Sequence, residues 1–241
     1  MITLAAICFG LTAIKYALAE RFEMAVFFVL IATLLDVLDG KFARALKAVS
    51  EFGGQLDSLA DFLNFGFVPV FIIYIWELHN TPRIGWAAVL FFTMCCAIRL
   101  ARFNIDIGNE NKPEWKIRFF TGLPSPAGAL MCLSPLMVIF VAQDKLVTIM
   151  DGFNWIRNPN FLIIYVILVG FLMVSRIPTY SIKKLLIKGE YTYLIFGGFA
   201  LITMLAFIQP WLVVLSVMGV YFLLLPVSVL HYYKHLNSDD K

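Results

Sequence analysis

The sequence predicts an all-α protein, a polytopic membrane helical bundle with about eight transmembrane helices. Three observations lead there. First, 61% of the 241 residues are hydrophobic, only 15% are charged, and the mean hydropathy is +0.85. That balance belongs to polytopic membrane proteins. Second, the apolar runs approach the length of about 20 residues needed to cross a hydrocarbon core. Third, polar punctuation cuts the chain into eight such runs, at about 2–19, 22–45, 50–77, 84–103, 124–143, 159–177, 192–208 and 211–231. Eight helices of this length use up most of the chain, so a single integral-membrane domain over 1–241 is expected, with no separate soluble unit.

The remaining composition narrows the class. Aromatic residues make up 15%, among them 23 Phe, which suits lipid contact. A net charge of +3, with the basic residues scattered between apolar runs, excludes a nucleic-acid surface. Cys8, Cys95, Cys96 and Cys132 sit inside apolar runs without CxxC spacing and read as small buried thiols.

Taken in order, the first run ends at Ala19-Glu20-Arg21 with no basic segment before it, so it is expected to stay as a helix and not be cleaved as a signal peptide. The second and third runs enclose the most informative stretch, Leu35 to Pro69, which holds Asp36, Asp39, Asp57 and Asp61. On a helix, Asp36, Asp39, Gly40, Ala43 and Arg44 form one stripe, and Gly53, Asp57 and Asp61 repeat it four residues apart. Neighbouring helices would bring the four carboxylates into one pocket, with the glycines and Ala43 leaving room for a ligand.

Such a pocket does not stay bare. Two carboxylates about 4 Å apart repel by roughly 4 kcal/mol at an effective dielectric near 20. Several such pairs rival the roughly 5–15 kcal/mol that holds a whole domain folded. The cluster must take up protons or cations. Oxygen ligands favour a hard ion such as Mg²⁺, Mn²⁺ or Ca²⁺, and four carboxylates can bridge two of them. Paired divalent ions suit a phosphorus centre, where they stabilise attacking and leaving oxygens together.

The fourth run ends in Arg99 and Arg102, for which two readings stand: snorkelling to the interface, or recognition of a carboxylate or phosphate. The fifth begins at Ser125-Pro126, where an ordinary N-cap and an anion site at free backbone N–H groups fit equally. The basic segment Arg176 to Lys184 fits either anionic headgroups or the positive-inside bias. His231 and His235 read as interfacial residues near the end of the eighth run. Counting Lys and Arg places fourteen on one side and four on the other, with Lys15 inside the first run. The richer side is cytoplasmic, and both termini and the aspartate stretch face it.

Asp36-x2-Asp39-Gly40-x2-Ala43-Arg44-x8-Gly53-x3-Asp57-x3-Asp61 resembles the complete signature of the CDP-alcohol phosphatidyltransferase family, eight positions over 26 residues. The later segments AIRLARFN, FTGLPSPAG and LMVSRIPTYSIKK resemble those of its serine-using branch. The resemblance implies transfer of a phosphatidyl group from CDP-diacylglycerol to L-serine in the cell (inner) membrane, with two divalent cations, Mg²⁺ or Mn²⁺, and a homodimer. It implies that Asp36, Asp39, Asp57 and Asp61 are metal ligands and that Asp61 is also the base. Gly40, Ala43, Arg44, Ser50 and Gly53 would then line the CDP moiety. Asn64, Arg99, Arg102 and Ser125 are candidates for the acceptor or phosphate. Glycerol 3-phosphate or inositol phosphate as acceptor remains the alternative within the family. From another class, a cation-coupled transporter is disfavoured, because the acids lie near one face and no second copy of the motif occurs.

Overall fold

The computed structural model describes residues 2–45, 50–107, 119–145, 154–180, 198 and 203–239. Its elements are α1 (Ile2–Leu18), α2 (Phe22–Ala45), α3 (Glu51–Asp61), a π-helical turn (Phe62–Phe67), α4 (Val68–Trp76), α5 (Pro82–Ile107), β1 (Phe119–Thr121), α6 (Ser125–Lys145), α7 (Pro159–Val174), β2 (Pro178–Tyr180) and α8 (Pro210–Asp239). Short 3₁₀ turns at Leu78–Asn80 and Asn154–Arg157 lead into α5 and α7.

Among the described residues, three helical runs are long and apolar enough to cross a membrane: Glu51–Trp76, Pro82–Ile105 and Ser125–Gln143. Ile2–Leu18, Pro159–Val174 and Pro210–Pro226 are shorter apolar helices. α2 has 24 residues, but Asp36, Asp39 and Lys41 make its second half polar. The expected seventh span lies largely outside the described residues. Large apolar side chains such as Leu34, Ile84, Met94, Ile164, Phe171 and Leu223 point outward. In water they would form a costly apolar shell; against lipid chains they cost nothing. Cys95, Cys96 and Cys132 are buried as expected, but Cys8 is exposed, on the outward face of α1.

Small residues set the first helix pair. Thr3, Ala6, Gly10, Ala13 and Ala17 form the buried stripe of α1, and Ala25, Val29 and Ala32 are buried on α2. Stripes of this kind let backbones approach closely, which favours helix association where lipid supplies no hydrophobic drive. Phe28 of α2 stacks on Phe9 and Tyr16 of α1, at 5.7 and 5.1 Å between ring centroids.

Proline shapes two of the membrane helices. Pro69 has no N–H for the Phe65 carbonyl, and in an α-turn its ring would strike that oxygen. The preceding turn widens instead, and the Val68 N–H bonds to the Leu63 carbonyl, five residues back. In α6, Pro135 denies the Met131 carbonyl its helical donor. The Ser134 and Tyr165 hydroxyls approach that oxygen at 2.8 and 2.9 Å, so the freed group is satisfied within the bundle, as a nonpolar medium requires.

One feature amends the all-α expectation. β1 and β2 pair antiparallel, with Phe119 opposite Tyr180 and Thr121 opposite Pro178. Two segments that have left their helices satisfy each other's backbone groups. The Gly122 N–H continues the contact to the Ile177 carbonyl at 2.9 Å. Gly122 has φ of +80°, and a Cβ there would lie 2.6 Å from the Met173 carbonyl oxygen, so only glycine fits.

Candidate active site

The acidic stretch folds into two helices that meet at one end of the bundle. α2 runs unbroken through Asp36 and Asp39 to Ala45. α3 starts at Ser50, an N-cap whose hydroxyl accepts the Gly53 N–H at 3.1 Å. Ser50 was expected beside the ligand, and the structure gives its side chain this capping bond. The cap sets where α3 begins, and with it the phase of Asp57 and Asp61.

Asp36, Asp57 and Asp61 come together, each offering a carboxylate oxygen within 4.8 Å of the others. Asp36 and Asp61 are close enough to influence each other's charge directly. Asp61 Oδ1 is buried and has no hydrogen-bond partner among the described residues. Three acids this close at the end of an apolar bundle, with an unused buried oxygen on Asp61, fit a divalent cation: the donor set is all oxygen, and a positive charge removes the repulsion.

Asp39 departs from the expected four-carboxylate cluster. It does not join the triad, and its Oδ2 accepts a hydrogen bond from the Thr3 hydroxyl of α1. It stays an electrostatic neighbour of Asp36 and Asp57. Thr3 was not foreseen from the sequence. The available signal was a lone hydroxyl at the head of a stripe otherwise made of Ala and Gly.

Of the residues expected along the CDP moiety, Gly40 is half-buried one residue beyond Asp39 on α2, and Ala43 and Arg44 occupy the last turn of that helix, described in backbone alone. Gly53 is half-buried on α3, on the same side as Asp57. Asn64 lies in the π-turn after Asp61, 2% exposed. Its Oδ1 has no partner among the described residues and presses on Gly10 of α1. Gly66, in the same turn, packs on Cys96 of α5, where a Cβ would lie 3.1 Å from the sulfur. The Gly66 carbonyl accepts from Thr93 at 3.2 Å. The π-turn is thus held on two sides, by α1 and by α5.

Arg99 and Arg102, three residues apart at the end of the fourth run, are separated by the structure. Arg99 turns inward: its guanidinium donates to the buried Ser125 hydroxyl, and its Nε is buried without a partner among the described residues. It is also an electrostatic neighbour of Asp61. Arg102 is exposed and donates to the Val174 carbonyl at 2.6 Å. Residues three apart on a helix diverge by about 60°, enough here to send one inward and the other onto the end of α7. Ser125 does not act as the N-cap. Its side chain meets Arg99, and Pro124 supplies the first helical carbonyl, bonded to the Gly128 N–H at 2.9 Å.

Comparison with known proteins shows the family. Residues 1–158 match the family model described as CDP-alcohol phosphatidyltransferase. The chain is 33% identical over 227 residues to the CDP-diacylglycerol–serine O-phosphatidyltransferase of Mycobacterium leprae, covering 94% of this chain and 72% of that protein. It is 33% identical over 221 residues to the protein of the same name from Helicobacter pylori, covering 92% and 86%. The Bacillus subtilis protein of that name is 34% identical over 184 residues, covering 76% of this chain and 90% of the relative. With its apolar helices and an acidic signature gathered at one end of them, the chain is an integral membrane protein and belongs to the CDP-alcohol phosphatidyltransferase family.

Proposed function

We propose that the protein is a CDP-diacylglycerol–serine O-phosphatidyltransferase, which moves the phosphatidyl group of CDP-diacylglycerol to the hydroxyl of L-serine and releases CMP. The observation that carries this is the convergence of Asp36, Asp57 and Asp61 within 4.8 Å in an otherwise apolar bundle. The name shared by its relatives supports serine as the acceptor.

In the reaction, the serine oxygen forms a bond to the phosphorus that carries diacylglycerol. The bond from that phosphorus to the bridging oxygen breaks, and CMP leaves with the electron pair. The serine proton passes to Asp61, whose buried Oδ1 is an unused acceptor. Two divalent cations, Mg²⁺ or Mn²⁺, held by Asp36, Asp39, Asp57 and Asp61, would supply charge neutralisation at the diphosphate. The protein's own part is positioning, which dominates catalysis of phosphoryl transfer. Gly40, Ala43, Arg44 and Gly53 leave space for, and contact, the CDP moiety. Arg99, whose buried Nε has no partner among the described residues, receives the serine carboxylate. Asn64 stands one turn beyond Asp61, on the acceptor side.

The Lys and Arg distribution supports a site and termini that face the cytoplasm, and the family supports a homodimer. The deciding assay uses detergent-solubilised protein, CDP-diacylglycerol, Mg²⁺ or Mn²⁺, and a panel of alcohols. CMP should appear with L-serine and not with glycerol 3-phosphate or inositol phosphate. Release driven by one of the phosphorylated alcohols in place of serine would overturn the assignment of acceptor.

A further inference from the structure

We propose that Thr3 is a positioning residue for Asp39, the carboxylate of the acidic stretch that the other three do not gather. The inference rests on the reading that these aspartates hold divalent cations. Thr3 lies in the first turn of α1 and is 7% exposed. It heads the stripe of small residues packed on α2, and its Oγ1 donates to Asp39 Oδ2. The other threonine of α1, Thr12, bonds back to its own helix at the Cys8 carbonyl, 2.7 Å away, as helical threonines commonly do. Thr3 instead spends its proton on another helix.

The charges explain what this bond does. Asp39 has Asp36 and Asp57 as electrostatic neighbours, and like charges push its carboxylate away from the cluster. A hydrogen bond to an ionised oxygen is among the stronger ones and fixes the position the carboxylate takes up under that push. With Oδ2 engaged by Thr3, Oδ1 is the oxygen left available to a cation. A hydroxyl that orients a metal ligand in this way typically changes metal affinity without touching the metal. Thr3 therefore ties the start of α1 to the signature helix and sets the fourth ligand in place.

The test is Mn²⁺ binding to the purified, detergent-solubilised protein without substrates, followed by the paramagnetic resonance signal of free Mn²⁺. Thr3→Val keeps the shape and removes the hydroxyl, Thr3→Ala removes it with less bulk, and Thr3→Ser restores it. The dissociation constant should rise about tenfold in Thr3→Val and Thr3→Ala, while Thr3→Ser stays within about twofold of the unaltered protein. Unchanged binding in Thr3→Val or Thr3→Ala overturns the proposal. So does equal weakening in Thr3→Ser, which would assign the effect to packing of the γ-methyl group. If the unaltered protein itself binds no Mn²⁺, the cation reading fails and this proposal fails with it. Thr3→Ala carries the test should Thr3→Val not fold.

Discussion

The Arg99 guanidinium donates to the Ser125 hydroxyl, joining the second half of α5 to the first turn of α6. Ser125 is fully buried, and the Cys96 sulfur lies 3.8 Å from the same hydroxyl. One edge of the guanidinium is therefore fixed, while the buried Nε has no partner among the described residues. A cation at that depth is rare in a membrane helix and usually faces a site or pathway.

The two arginines should therefore respond differently to substitution. Arg99→Gln should raise the apparent KM for L-serine about tenfold or more, with a smaller rise for CDP-diacylglycerol, because lost contact with one substrate weakens that substrate most. Arg102→Gln, which removes a bond to the Val174 carbonyl, should leave both values within about threefold. Steady-state CMP release across both substrate concentrations measures this. Equal rises for the two substrates in Arg99→Gln would move that side chain to the diphosphate or to a purely structural role.

The acidic residues should be indispensable one at a time. Asp36→Ala, Asp39→Ala and Asp57→Ala each remove a charge and a ligand together, and CMP release should fall to background. Repulsion within the triad is relieved at the same time, so metal-free Asp36→Ala and Asp57→Ala should unfold at or above the temperature of the unaltered protein. Thermal unfolding in detergent reads the second effect. Near-normal turnover in any of the three variants rules out the two-cation arrangement.

Asp61 can be tested for binding and chemistry separately. Asp61→Asn nearly preserves the oxygen count, but a neutral amide accepts no proton. CDP-diacylglycerol should still bind with Mg²⁺ present, while CMP release drops by about 10²–10⁴-fold. The measurement is binding and CMP release on one preparation through a Mg²⁺ titration. Recovery of full rate at high Mg²⁺ would show Asp61 to be a ligand alone and pass the proton to a water or a phosphate oxygen.

Packing at Gly10 predicts a different kind of effect. A Cβ there would collide with the Asn64 amide oxygen. Gly10→Ala should cost about 1–3 kcal/mol, typical of an overpacked interior. Most of that should return in Gly10→Ala combined with Asn64→Ala, since the second change vacates the space. Denaturation midpoints for the two single variants and the pair test the coupling. Additive losses would mean that the two residues do not meet.

Some of this was legible in the sequence because it is local. Hydropathy over about twenty residues marks membrane helices. The spacing of Asp36, Asp39 and Gly40, and of Gly53, Asp57 and Asp61, lays each group on one face of its own helix, since a turn of 3.6 residues needs no tertiary information. The basic residues between the apolar runs were equally readable. What only the tertiary structure decided were relations between residues far apart in the chain. Thr3 meets Asp39 across 36 positions and Arg99 meets Ser125 across 26. Asn64 rests on Gly10, and residues 119–121 pair with 178–180. The split between Arg99 and Arg102 also came from packing, because the neighbouring helices determine which side of α5 faces inward. Hydrophobic pattern assigns a residue to a face, but in lipid every outward face is equally apolar. Which helices become neighbours is left to close packing of small residues and to a few buried hydrogen bonds.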